Sequence, residues 1–419
     1  MVDTATKVDR FKQMRDGYVG LIPRFKGTCD ENYFSFLAQY YTNVIESKEK
    51  GQPLGQYNLY APVELYYAMG ITPYLQCHMS AIGPGLWDCT DYLELAQGFG
   101  IANEFCSFEK LRMGFILADV VPKADFMISS NLYCTASIKT VGIASEHQNI
   151  PNFLIDAPYS ESEEAIDYYK GQLAKALEFM EEKTGQKVDP DRLREVAGRS
   201  SQSLDLFRKV IGLRKRVPAP VSFVHAAKCN DMLNLGAGTQ GTLDFFQKLY
   251  QDSTALAEAG RGAVENERHR VAWWGATPFF DPKISRWLSD RHGATIVADN
   301  FTLLPPAFPS DEPQRDPLKY LARKTLGMSI ARLSRPYELA EECVIQTTRD
   351  SQVDCAVIFT SLGCKQLSGL TRLMKDSMSL KLGIPTLVID GDYCDYRVAS
   401  SSLIRSRLDE FFTTVVARG

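Results

Sequence analysis

Two distant segments of this chain share one plan. The first runs from Asp125 through FMISSNLYC and IPNFLID to Ala157, the second from Asp354 through CAVIFTSLGC and IPTLVID to Gly391. Each holds an Asp, a short apolar strand, a cysteine, enough residues for a helix, then Ile-Pro, a second apolar strand and another Asp. Neighbouring parallel strands need a long crossover, so strand, helix, strand units of this kind build parallel sheets. Cys134 to Pro151 spans 17 residues and Cys364 to Pro385 spans 21, a difference of about one helical turn.

The repeat divides the chain. Residues 1–55 read as a helical segment, because FSFLAQYYTNVIESKEKG closes in a charged turn with a glycine stop. Residues 56–160 alternate strand and helix from YNLYAPVELYYAMGITPYLQC onward, with Pro62 and Glu64 marking a helix start. Over residues 161–267 the strands vanish, and SEEAIDYYKGQLAKALEFMEEKTG, DPDRLREVAGRSSQSLDLFRKVIGLRKR and LDFFQKLYQDSTALAEAG predict a helical linker or domain. Alternation resumes over 268–419, from HRVAWWG to a last amphipathic helix, SSSLIRSRLDEFFTTVV. The expected fold is α/β: two doubly wound parallel-sheet domains plus a helical one.

Charge excludes some functions. With a net charge of -4 and a pI near 5.9 there is no footprint for nucleic acid, and the one basic run, Arg208–Arg216, reads as a solvated helix end. The N-terminal residues mix acids and bases around no apolar core, and no stretch approaches the roughly 18 apolar residues of a membrane span. A cytoplasmic location follows as the expectation. Thiols stay reduced there, so the ten cysteines are read as core residues or metal ligands, not as disulfides. GAGTQG at 236–241 follows a helical stretch and lacks the Lys-Ser/Thr ending of a phosphate loop, so ATP is not expected to bind this chain.

The chemistry centres on cysteine. In open α/β sheets, ligands gather at the carboxyl ends of strands, where the next helix begins with unpaired N–H groups and a partial positive charge. A thiol there loses its proton more readily, and the thiolate is the form that binds metal. Cys134 and Cys364 fall at such points. Cys106, in NEFCSFEKLRMGF, also opens a predicted helix, with Asn103 as its cap and Glu109 in its first turn. Structural zinc normally takes four ligands, whereas three thiolates suit an iron–sulfur cubane with one iron left open as a Lewis acid. Two blander readings stand beside this one, zinc binding and three small core residues. Cys355 reads as core, and Cys29, Cys89 and Cys229 have no supporting context. The aromatics of WWGATPFFDP, Trp273–Pro282, suit either core or an acyl pocket; Arg397, Arg405 and Arg407 suit surface ion pairs better than phosphate contacts. Lys365 and Gln366 read equally as N–H donors and as solvated first-turn residues.

YAPVELYYAMGITPY, FCSFEKLRMGF, NLYC, EKTGQKVDPDRLREV, FTSLGCKQ and IDGDYCDYRVASSSLIRSRLDEFF together resemble the subunits of 2-hydroxyacyl-CoA dehydratases and benzoyl-CoA reductases. The likeness runs from about Tyr57 to the C-terminus. It implies two flavodoxin-like domains plus a helical one, with a [4Fe-4S] cluster held by the cysteines at positions 106, 134 and 364. It also implies a homologous second subunit, an acyl-CoA substrate, and a separate ATP-hydrolysing iron–sulfur activator that delivers one electron. A ketyl radical formed at the thioester then expels the 2-hydroxyl and acidifies a β C–H, which an ordinary side-chain base could not deprotonate. An ATP-dependent reductase reading remains open, of the benzoyl-CoA type or as a homodimer of this chain with an [8Fe-9S] double cubane, whose extra ligands Cys77, Cys343 or Cys394 would supply. So does a non-catalytic two-lobed binding protein.

Overall fold

The computed structural model describes residues 9–132, 134–334 and 336–416; residues 1–8 of the predicted N-terminal segment, Tyr133, Arg335 and the last three residues lie outside that description. Eight strands form two separate sheets. The first contains β1 (Leu54–Tyr57), β2 (Thr72–Leu75), β3 (Phe126–Ser130) and β4 (Asn152–Ile155), the second β5 (His269–Trp274), β6 (Ala294–Asp299), β7 (Cys355–Ser361) and β8 (Thr386–Gly391). The orders are β2-β1-β3-β4 and β6-β5-β7-β8, with every described pairing parallel.

The repeat seen in the sequence is structural. Asp125 and Asp354 do the same work in the two sheets. The Asp125 carboxylate accepts the Leu54 amide at 2.8 Å while the Asp125 amide donates to the Leu54 carbonyl at 2.9 Å. The Asp354 carboxylate accepts the Arg270 amide at 2.7 Å while its own amide donates to the Arg270 carbonyl at 2.8 Å. Pro151 and Pro385 correspond as well. Lacking an N–H, each still offers its carbonyl to the neighbouring strand, to Met127 at 2.8 Å and to Ala356 at 2.9 Å. The crossovers differ. After β3 a single helix, Thr135–Gln148, returns the chain, but after β7 the path breaks into Lys365–Ser368, Thr371–Ser377 and the wider turn Met378–Leu382. The four extra residues therefore do not extend one helix by a turn.

Around the sheets the helices fall near the expected places. Asp9–Leu21 and Cys29–Glu49 precede β1, which begins at Leu54 and so starts ahead of residue 56. The strand-free stretch holds Glu163–Thr184, Pro190–Arg214, Phe223–Leu235 and Gln240–Glu258. Between β6 and β7 the chain adds Pro317–Leu326 and Tyr337–Asp350, where no element was predicted. Successive residues of β5 point to opposite sides, as the pleat requires. Val271 and Trp273 join a core continuous with the first sheet, while Ala272 and Trp274 join a separate cluster with Ile358 and Val344. Among the described residues, no helix is long and apolar enough to cross a membrane.

One expectation is overturned in part by packing. The run Arg208–Arg216 is not solvated throughout: Lys209 and Arg216 are exposed, but Arg214 fixes the end of the 25-residue helix Pro190–Arg214 against the second sheet. Arg214 is 1% exposed and pairs with Asp299 at 2.7 Å, while also donating to the Ile296 carbonyl at 2.6 Å. Arg208 lies over the Phe308 ring, 4.6 Å from its centroid, and Lys215 pairs with Asp350 at 2.7 Å.

Candidate active site: a cavity lined by three cysteines

A cavity of about 630 Å³ opens among both sheets and the helical segment, and Cys106, Cys134 and Cys364 all line it. Each cysteine is the residue just before a helix: Cys106 before Ser107–Leu117, Cys134 before Thr135–Gln148 and Cys364 before Lys365–Ser368. Two follow strands, as expected. Cys106 instead follows a loop after the helix Thr90–Gly98, and it, not Asn103, is the capping residue; the Asn103 carbonyl accepts Lys110 Nζ at 2.8 Å.

Local contacts fix the three relative to one another. Glu109, in the first turn after Cys106, pairs with Arg112 at 2.8 Å, and both side chains are nearly inaccessible. The hydroxyl of Thr140 hydrogen-bonds both of them, and Arg112 also donates to the Ser137 carbonyl at 3.2 Å. This buried bracket locks the helix that begins after Cys106 to the helix that begins after Cys134. Cys364 is brought in by Gly363, where an added Cβ would lie 2.6 Å from the Phe105 carbonyl oxygen and 2.8 Å from Cys106 Cα. Only glycine permits that approach.

The electrostatics follow from burial. Burial foremost lifts the Cys106 thiol well above its ordinary value, with thiolate charge at Cys364 and the Glu109 carboxylate adding to it. Burial, then Glu109, pushes Cys134 up to about 12, against the Ser137 N–H that donates to its sulfur at 3.4 Å. Burial also raises Cys364, opposed by the backbone N–H groups of Leu367 and Gln366. Three thiols that each resist ionisation become ligands once a cationic centre balances them.

The donor set fits a cluster better than a single ion. Tetrahedral zinc with Zn–S bonds of about 2.3 Å holds its sulfurs roughly 3.8 Å apart. Among the described residues, these three cysteines do not form a group whose donor atoms all lie within 4.8 Å of one another. Thiolates bound to different irons of a cubane stand farther apart than ligands of one ion, so three sulfurs outside single-ion spacing remain compatible with a cluster.

Other predicted residues divide. Cys77 lines the same cavity. Cys394 is buried beside it, its thiol 3.6 Å from the Ser80 carbonyl, whereas Cys343 sits on Tyr337–Asp350 and does not line the cavity. Trp273 and Trp274 are fully buried core, while Pro278 and Phe279 of the same stretch form cavity wall. Lys365 and Gln366 line it too. Arg397 pairs with Asp395 at 2.8 Å and Arg405 with Asp281 at 2.7 Å, so both are ion pairs. Sequence reasoning passed over the wall contributed by Cys29–Glu49 and Phe223–Leu235, including Tyr33, Lys228 and Asp231, because isolated polar residues on helices carry no motif.

One further group brings metal-type donors together. Cys29, Asp30 and His225 have donor atoms within 4.8 Å of one another. Lys228 Nζ, 2.7 Å from Asp30 Oδ1, already supplies the positive charge, and the set closes as an ion cluster.

A cysteine-lined cavity among two parallel sheets and a helical segment defines a class, and the comparison with known families agrees with it. This chain belongs to the 2-hydroxyglutaryl-CoA dehydratase D-component family, matched over residues 58–414. It is 25% identical over 391 residues to the (R)-phenyllactyl-CoA dehydratase alpha subunit of Clostridium sporogenes, covering 90% of this chain and 92% of that one. The (R)-2-hydroxyisocaproyl-CoA dehydratase alpha subunit of Clostridioides difficile is 22% identical, covering 89% and 92%. A benzoyl-CoA reductase subunit of Thauera aromatica is 23% identical, covering 76% and 78%. The family thus joins dehydratases, which are lyases, with related reductases.

Proposed function

We propose that this chain is the cluster-bearing subunit of a cytoplasmic 2-hydroxyacyl-CoA dehydratase, built from two flavodoxin-like units, residues 56–160 and 268–419, with helical segments at 1–55 and 161–267. Cys106, Cys134 and Cys364 hold a [4Fe-4S] cluster, a homologous second subunit completes the enzyme, and a separate ATP-dependent activator supplies the electron. The single observation that carries the reading is that three cysteines, far apart in sequence, line one cavity whose wall is mainly apolar. When bound, the cluster supplies one-electron transfer and an open Lewis-acidic iron.

The chain's own residues then have definite tasks. The apolar wall, including Phe105, Phe108 and Phe279, excludes water from the acyl group. Backbone N–H groups of Gln366 and Leu367 donate toward the sulfur of Cys364, and the Ser137 N–H toward that of Cys134, which stabilises both as thiolates. A second reading, the double-cubane reductase, draws on Cys77 lining the same cavity. Anaerobic co-expression with the partner subunit and activator tests the proposal by turnover of 2-hydroxyacyl-CoA thioesters, electron paramagnetic resonance and iron content. Colourless, iron-free protein from that preparation would leave a two-lobed binding protein as the better description.

A further inference from the structure

The cavity wall is uneven in charge, and that unevenness bears on which acyl group it accepts. Much of it is apolar, with Leu59, Leu75, Ile82, Phe108, Phe223 and Phe279 contributing. Its three lysines are all committed or peripheral. Lys139 and Lys365 are exposed, and Lys228 is paired to Asp30 at 2.7 Å while its ammonium lies 5.0 Å from the centroid of the Tyr33 ring and 4.9 Å from that of Phe34. Its carboxylates differ from one another. Glu104 is exposed and Glu109 is closed off by Arg112, but Asp231 sits on the cavity wall with no cation hydrogen-bonded to it among the described residues. The Tyr33 hydroxyl donates to Asp231 Oδ2 at 2.8 Å, which fixes the carboxyl in place. Where Phe223–Leu235 and Cys29–Glu49 form the wall, Lys228 thus serves two carboxylates, Asp231 on the cavity and Asp30 outside its lining, where His225 also contacts Asp30 at 3.4 Å.

We infer that this cavity takes 2-hydroxyacyl thioesters whose acyl chain is uncharged, aliphatic or aromatic, and that Asp231 turns away chains ending in a carboxylate. The inference deepens the dehydratase reading and rests on it. An anionic chain terminus entering an apolar cavity loses its hydration and meets a fixed negative charge; an apolar terminus meets packing surface and loses nothing. Lys228 offsets this only in part, since its single positive charge is shared between Asp30, which it contacts at 2.7 Å, and Asp231.

The test compares two isosteric thioesters on the anaerobic complex of both subunits with activator: 2-hydroxyglutaryl-CoA, and 2-hydroxy-5-methylhexanoyl-CoA, in which methyl groups replace the two carboxylate oxygens. The uncharged thioester should have a kcat/KM at least tenfold higher, and Asp231→Asn should narrow that ratio by tenfold or more. A ratio measured within one variant cancels any general loss of activity. Binding of the same thioesters to the complex without activator should show the same preference. Equal or better use of 2-hydroxyglutaryl-CoA by the wild type overturns the inference and leaves the dehydratase reading standing, and an unchanged ratio in Asp231→Asn removes Asp231 from it. Failure of iron-replete enzyme to bind or convert either thioester overturns the dehydratase reading and this inference with it.

Discussion

Gly363 and Cys106 meet backbone to backbone: a Cβ built on Gly363 would come within 2.8 Å of Cys106 Cα and 2.6 Å of the Phe105 carbonyl oxygen. Neither obstacle is a side chain that could swing away. Gly363→Ala must therefore push Cys364 away from Cys106, at a cost of about 1–3 kcal/mol for overpacking. Iron per chain should fall sharply in this variant. Gly142→Ala provides the contrast, because its Cβ would meet nothing within 4 Å in the middle of the helix Thr135–Gln148. It should keep its iron and gain up to about 1 kcal/mol from helix propensity. Equal iron in the two variants would show that the close approach does not hold the site together.

The same geometry sorts the cysteines. Replacing Cys106, Cys134 or Cys364 by Ser should each abolish the cluster's visible absorbance and its paramagnetic signal. Cys343→Ser should leave about four irons per chain in place, since Cys343 lies away from the cavity. Cys77→Ser and Cys394→Ser decide between cluster types. Roughly four irons in wild type and in both variants supports the single cubane; about eight, falling in either variant, supports the double one.

The legible parts of this molecule were those with a covalent or periodic signature. Asp125 and Asp354 could be paired from sequence because each precedes an apolar strand, and the structure gives them equivalent backbone partners, Leu54 and Arg270. The approach of Cys134 and Cys364 to one cavity follows from that repeat. Arg214 was misread because a basic residue at a helix end looks the same whether water or a buried aspartate faces it. The Glu109, Arg112 and Thr140 bracket was likewise invisible, as it joins helices through side chains with no shared motif. Asp231 and Tyr33 illustrate the limit most clearly: their meeting depends on how two helices distant in sequence pack.

Arg214 and Asp299 are both 1% exposed, so removing one partner strands a charge in the interior. Arg214→Met should lower stability by about 3–5 kcal/mol, the usual cost of breaking a buried pair from one side. Arg214→Met combined with Asp299→Asn should recover part of that loss, because no ionised group is then left alone. Urea denaturation of the two variants and the wild type under one set of conditions makes the comparison. A single variant as stable as the wild type would mean that water reaches the pair.

Asp231 ties stability to pH in a direction opposite to that of a salt-bridged carboxylate. Burial lifts its pKa from 3.8 to about 6. Between those values the native protein holds a proton that the unfolded chain has released, so stability falls as pH rises through that window. Above it the cost levels off at about 3 kcal/mol, from 1.36 kcal/mol per unit. Asp231→Asn carries no charge to desolvate and still offers Tyr33 an oxygen acceptor. The variant should therefore be more stable than the wild type by up to about 3 kcal/mol at pH 8, and by roughly half of that at pH 5. Anaerobic urea titrations at the two pH values measure the gap. If it is the same at both, the Asp231 carboxyl is hydrated through the cavity, and its charge would then discriminate only weakly between acyl chains.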